Sequence, residues 1–241
     1  MNNFSVLLKG ELDRMQKYHI LGASVLVSLI WVAVMHFTAI DNVDYIFPLL
    51  LFFDATMMAM LMVGVTMFFE KQEGTLKTLL VSPINKVEYI LAKSMANVLS
   101  SIISLVILYA YAWFFKDLSV NLIGIFAAVF LIAFFHALFG FILMYNTRDF
   151  TSLLMGIMAY AFIVMIPVVL NEIGVLTGDI VEKALYILPT KASSTLLFAT
   201  TGVGETWEIV FSMCYLLVAI AVLYHIVKSK FDEFAVKESG V

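Results

Sequence analysis

Long apolar runs separated by short polar breaks dominate the chain, at 20–40, 46–69, 89–115, 120–145, 151–170 and 208–227. Each is close to the ~20 residues that cross a ~30 Å hydrocarbon layer as an α-helix. Unpaired backbone amides are costly in lipid, so only helices or a closed barrel can span it. Runs this long exclude the ~10-residue alternating strands of a barrel. The pattern therefore predicts an all-α polytopic membrane protein with six spans, the whole of 1–241 forming one transmembrane domain. Ahead of the first span the period changes. Phe4, Leu7, Leu8, Leu12 and Met15 recur at helical spacing with most charges elsewhere, which predicts an interfacial helix within 1–19 on the inner membrane surface.

Composition agrees: 63% of the residues are hydrophobic and 13% charged, against about 25% charged in an ordinary soluble domain. No basic block suggests nucleic acid. Cys214 is the single cysteine and lies in an apolar run, so neither an intrachain disulfide nor a cysteine metal cluster is available, and it reads as a space-filler. Where the charges fall matters more than their sum of −4. With both termini cytoplasmic, eleven of the 14 basic residues lie inside and three, Lys116, Lys183 and Lys191, outside. The positive-inside rule then selects that orientation, and the first span reads as an uncleaved anchor.

Two breaks are long enough to hold structure. The external stretch 171–207 carries Asp179-Ile-Val-Glu182 at capping-box spacing, with Pro189 to end that helix, and a second short helix fits 194–199 before Gly202 and Gly204. Amphipathic helices on the outer membrane surface are expected there, the alternative being an irregular loop. The cytoplasmic break 70–88 predicts a helix over 75–81 with Leu76, Leu79 and Leu80 on one face, stopped by Pro83. Asn85-Lys-Val-Glu88 then starts the third span with the same capping spacing. A small leucine-faced helix held between two spans is shaped for a groove on a cytosolic partner, and the plainer alternative is a solvated connector.

The run Glu70-Lys-Gln-Glu73-Gly74-Thr75-Leu76-Lys77-Thr78-Leu79-Leu80-Val81-Ser82-Pro83 resembles the first cytoplasmic loop of type-2 ATP-binding-cassette (ABC) transporter permeases, and the chain is similar in layout to bacterial drug-export permeases. About fifteen residues carry the motif, and the layout covers nearly the whole chain. The resemblance implies the membrane-spanning subunit of an exporter in the plasma membrane of a bacterium or archaeon. It implies pairing with a second permease copy or close paralogue, and docking of cytosolic ABC ATPase subunits through Glu70, Glu73, Gly74, Thr75, Leu76, Leu79, Leu80 and Pro83. No Gly-x-x-x-x-Gly-Lys-[Ser/Thr] run occurs in the sequence. The chain therefore has no phosphate-cradling loop of its own, and the resemblance implies a transport subunit that is not an enzyme and binds no cofactor, ATP and Mg acting through the partner ATPase.

Polar residues inside the spans are few. Asp54, in span two, is expensive in lipid unless it faces protein or a wet cavity. It either lines the translocation path, or binds a cation there, or serves as a structural hydrogen-bonding partner. His36 and His136 read as packing or interfacial residues, because no Glu, Asp or Cys stands at metal-binding spacing beside them. Glu70 and Glu73 sit at the carbonyl end of span two, which disfavours negative charge, so partner docking or an ion pair with Lys71, Lys77 or the amino-terminal helix is expected. Arg148 and Asp149 form either a second cytoplasmic contact or an anchor with an adjacent helix cap, and Pro167 either kinks span five or is tolerated near its outer end. Two other function classes remain: an ion-coupled carrier or channel centred on Asp54, and an intramembrane enzyme, for which no reactive pair is found. Sparse charge in the spans favours an amphipathic or hydrophobic substrate.

Overall fold

Membrane-length helices make up most of the computed structural model, which describes residues 3–37, 43–75, 78 and 84–239. Helix α1 (Asn3–Lys17) ends at a left-handed turn at His19 and gives way to α2 (Ile20–Phe37). The other spans are α3 (Val43–Glu73), α4 (Lys86–Phe115), α5 (Leu122–Asn146), α6 (Phe150–Glu172) and α9 (Thr206–Ser239). Between α6 and α9 lie α7 (Asp179–Leu185) and α8 (Pro189–Ala199). Six of these helices are long and apolar enough to cross a membrane, and no strand occurs among the described residues.

Their exposed faces confirm the solvent. Leu26, Leu29 and Ile30 on α2, Met155, Phe162 and Ile163 on α6, and Val210, Leu217 and Val218 on α9 are all exposed. A contiguous apolar belt of that kind needs lipid or another protein around it. At 31 residues, α3 is about 46 Å long and exceeds a ~30 Å hydrocarbon layer.

Helix α5 is the axis of the bundle, packed against α3, α4 and α9. Its approach to α3 depends on Gly140: a Cβ there would sit 2.9 Å from the Met60 carbonyl oxygen. Close packing of backbones over small residues substitutes for the hydrophobic drive that lipid removes. Two core layers result. Phe47, Leu51, Phe52, Leu105, Ile125 and Ile132 fill one, and Met67, Ile90, Phe141, Val227 and Phe231 the other.

α3 and α6 each contain a π-helical turn, Asp54–Met58 and Ala161–Met165. A π-turn frees carbonyls that lipid cannot satisfy, and hydroxyls take them up. Thr56 donates to the Phe52 carbonyl at 2.6 Å and lies 3.5 Å from the Met165 sulfur, so the two turns touch. Thr190 donates to the Val164 carbonyl at 2.7 Å, and the Asn97 amide to the Ala59 carbonyl at 2.9 Å. Pro167 lies just past the second turn, where its missing N–H is absorbed by the irregular backbone.

The outer element departs from the sequence expectation. α8 does not lie on the membrane surface: Thr190, Ala192, Ser193, Ser194, Thr195, Leu196, Leu197 and Phe198 are all buried, and the helix packs against α9, α3 and α5. It also starts earlier, at Pro189 rather than Ser194. The other expected cap is absent too. Gly178, at φ 128°, is the N-cap residue of α7, no side chain caps it, and Asp179 is the first helical residue. At the start of α4, by contrast, the Asn85 side chain accepts from the Val87 amide at 2.9 Å.

Candidate functional site

Two buried carboxylates stand on α3, Asp54 in its π-turn and Glu70 one turn before its carboxyl-terminal end. They are 16 residues apart, about 24 Å along a helix.

The surroundings of Glu70 follow from the spacing on two other helices. On α1, Glu11 comes three residues after Leu8 and four before Met15, so it must point with the apolar stripe toward the bundle. On α4, Tyr89 and Lys93 are one turn apart and share a face. The three helices meet there. Lys93 Nζ donates to Glu11 Oε2 at 2.6 Å and Glu70 Oε1 at 3.0 Å. Arg14 Nη1 donates to Glu11 Oε1 at 2.8 Å and also to Glu70, and the Tyr89 hydroxyl donates to Glu70 Oε2 at 2.5 Å. Two carboxylates and two cations cancel, which is the condition under which charge can be buried. Burial would lower the Arg14 pKa, but Glu70 and Glu11 more than offset it and hold the guanidinium above its ordinary range.

Glu70 therefore faces inward, 2% exposed, and its contacts are with the amino-terminal helix and α4. Glu73 stays at the rim, 3.1 Å from Lys17 Nζ and accepting from the Tyr18 hydroxyl, whose ring stacks on Phe69. Gly74 ends α3 in the left-handed region, φ 69°, its amide bonded to the Glu70 and Lys71 carbonyls. Thr75 adds a hydroxyl to the Glu70 carbonyl at 3.1 Å. Leu76, Lys77, Leu79, Leu80 and Pro83 lie outside the described residues. Further contacts brace the same end: Lys86 to Asp232 on α9 at 2.5 Å, and Lys71 Nζ to the Arg148 carbonyl at 3.0 Å. Asp149 caps α6 through the Ser152 amide at 2.7 Å, a bond that holds its carboxyl below the usual range.

Asp54 has different company. It is 2% exposed, and its Oδ1 has no hydrogen-bond partner among the described residues. The Ser104 hydroxyl hydrogen-bonds the carboxylate. Ser104 belongs to a cluster joining α2 to α4: Ser28 donates to Ser104 at 2.7 Å, Ser100 to Ser24 at 3.1 Å, and Ser24 lies 3.3 Å from Ser104. Asp54 also lines a cavity of about 310 Å³ between α2, α3 and α6, whose other walls include Trp31, Phe53, Met57, Met58 and Ile157. The Trp31 indole N–H is likewise buried without a partner.

Of the histidines, His36 and His136 both meet hydrogen-bond partners. His136 is fully buried between the Ile132 carbonyl (2.8 Å) and the Tyr160 hydroxyl (3.0 Å), and His36 meets the Tyr111 hydroxyl at 2.9 Å. No cluster of three or more His, Cys, Asp or Glu able to hold a metal occurs among the described residues. Sequence reasoning missed Glu11, Tyr89 and Lys93 as partners of Glu70, and the serines beside Asp54. A signal was present: Lys93, Asn97, Ser100, Ser101 and Ser104 recur at three- and four-residue steps, a polar stripe along one face of an apolar span.

Known proteins give these features a family. The chain matches the fluoroquinolones export permease protein family over residues 2–239. Two curated relatives are the fluoroquinolones export permease proteins of Mycobacterium tuberculosis strains CDC 1551 and H37Rv. Each is 28% identical over 236 residues, covering 97% of this chain and 97% of the relative. Six membrane-length helices and a family match along almost its whole length make this chain a multi-pass membrane permease belonging to the fluoroquinolones export permease protein family.

Proposed function

We propose that the chain is the membrane-spanning subunit of an ATP-driven ABC exporter that removes fluoroquinolone-like drugs from the cell. Two such subunits, identical or paralogous, enclose the path, and separate cytosolic ATPases hydrolyse ATP with Mg. The drug class comes from the names of the curated relatives, and the ATPase coupling from the resemblance of the 70–83 loop to that of type-2 ABC permeases.

The observation that carries the coupling is the Glu70 cluster. Displacing the loop after Gly74 pulls on Glu70, which is bonded to Arg14 on α1 and to Tyr89 and Lys93 on α4. Three helices then move as one body, which is what a docked motor needs in order to shift a two-state equilibrium in the spans. The test is co-purification. Replacing Leu76, Leu79 and Leu80 together with Asp abolishes capture of the cognate ATPase and ATP-dependent efflux. Retained capture, or labelling that places Lys77 outside the cell, contradicts the proposal.

Asp54 favours a second reading, an ion-coupled carrier, because an intramembrane acid without a charged partner is a common ion site. That reading requires drug flux from the purified chain in liposomes driven by an ion gradient without any ATPase, and the exporter reading requires none.

A further inference from the structure

One carboxylate oxygen of Asp54 and the Trp31 indole N–H are buried on the walls of one cavity with no hydrogen-bond partner among the described residues, the carboxylate meeting only the Ser104 hydroxyl. We propose that this cavity, between α2, α3 and α6, binds a lipophilic aromatic amine, with Asp54 accepting from its ammonium group and the Trp31 indole donating to an acceptor on the same molecule. The proposal rests on the export reading for the identity of the cargo, and specifies which part of the cargo this chain recognises.

Several features point to an organic cation. A volume of about 310 Å³ is at the lower end of small-molecule sites, which are mostly apolar with a few polar groups that fix orientation. Among the described residues no Lys, Arg or His lines the cavity, so the carboxylate has no counter-ion there and an incoming cation would supply one. A hard metal ion is a poor fit, because it needs six or more oxygen ligands. Apart from Asp54, the walls offer thioethers, branched alkyl groups and two aromatic rings, Trp31 and Phe53, 6.1 Å apart. Those groups suit a flat polarisable ring system, methionine sulfur and alkyl chains adapting to its outline.

The location gives access. Leu154 and Met158, on the α6 side of the cavity, remain exposed on the outer face of the bundle, so a drug dissolved in the bilayer reaches Asp54 sideways between α2 and α6. Asp54 also opens the π-turn that touches its counterpart in α6 through Thr56 and Met165. π-turns of this kind concentrate at functional sites, and this one places the acid beside the second irregular segment.

The test uses the purified full chain in lipid nanodiscs, without nucleotide or ATPase, and follows quinolone fluorescence. Norfloxacin, whose piperazine nitrogen is protonated at neutral pH, is compared with N-acetylnorfloxacin, in which an amide replaces that amine. The native chain binds norfloxacin at least ~10-fold more tightly, the Asp54→Asn variant binds both alike at the weaker affinity, and Trp31→Phe weakens both ligands together. Equal binding of the two ligands by the native chain overturns the proposal without needing a variant. A preference that survives in Asp54→Asn overturns it as well. Because no ATPase is present, failure of loop docking leaves this result standing, and a negative result here leaves the docking test intact.

Discussion

Glu70 and Asp54 are two carboxylates on one helix, each 2% exposed, and everything else about them differs. Glu70 sits among two cations and a phenol contributed by α1 and α4. Asp54 sits beside a serine hydroxyl and an apolar cavity, with one oxygen unpartnered. Burial disfavours both charges, and among the described residues only the first is compensated by cations. An acid near the centre of a membrane helix costs about 2.5–3.5 kcal/mol on insertion scales. On the proposed reading, a fold that keeps Asp54 there with no cation beside it among the described residues holds it for a bound ligand. Equal burial thus goes with a compensated charge cluster at Glu70 and an acid with one unpartnered oxygen at Asp54, and the neighbours make the difference.

Matched isosteric substitutions give the widest separation between the two regions. Glu70→Gln leaves Arg14 and Lys93 with Glu11 as their remaining carboxylate in the cluster, and removing one partner of a buried charge set costs about 3–5 kcal/mol. Asp54→Asn takes away an uncompensated charge, so stability in detergent is unchanged or rises. Thermal unfolding of the two variants side by side reads the difference. Both should lose efflux, the first with its fold weakened and the second with its fold intact. Comparable destabilisation by Asp54→Asn would mean that Asp54 has a structural partner, and the contrast would fail.

The Tyr89 hydroxyl sharpens the same comparison at lower amplitude. Its bond to Glu70 is short, 2.5 Å, and goes to a charged acceptor, the kind that contributes about 1.5–3 kcal/mol. Tyr89→Phe keeps the ring against Phe231 and removes that bond, so it costs about half as much as Glu70→Gln. In the Glu70→Gln background the Tyr89→Phe cost shrinks, because the acceptor is no longer charged. A double-mutant cycle measures that coupling, and strict additivity would show that the phenol does not act through Glu70.

How much of this was legible in the sequence depended on whether a feature is local. The six-span all-α architecture was legible because lipid demands contiguous apolar helices, and so was the cap at Asn85, which needs only its own neighbours. The burial of α8 was not. Ser194 and Thr195 open the helix expected on the outer membrane surface, yet Ser193 bonds the Pro189 carbonyl, Ser194 the Lys191 carbonyl, and Lys191 pairs with Glu172 at 2.8 Å. Back-bonding and pairing let a polar helix enter the bundle. The Glu70 cluster was hidden for another reason: Arg14 and Glu70 are 56 residues apart and Glu11 and Lys93 are 82 apart, so no window along the chain contains both ends. The pocket at Asp54 depends in the same way on α2 and α6 arriving beside α3, and the sequence showed only the acid.

The smallest effect belongs to the pair at the edge of the cluster, and it tests whether depth, and not the mere presence of opposite charges, makes the Glu70 region a joint. Lys17 and Glu73 join the same two elements as Arg14 and Glu70, α1 and the end of α3, at 3.1 Å. Their side chains, however, are 67% and 37% exposed. Water screens such a pair, and holding two flexible chains together costs entropy, so Lys17→Ala should change stability by less than about 0.5 kcal/mol. Efflux should fall little, since Arg14 still ties α1 to α3. A large loss of efflux with unchanged unfolding would instead assign Lys17 to the cytosolic partner's side of the loop. The force from that partner would then reach α1 directly, without first passing through Glu70.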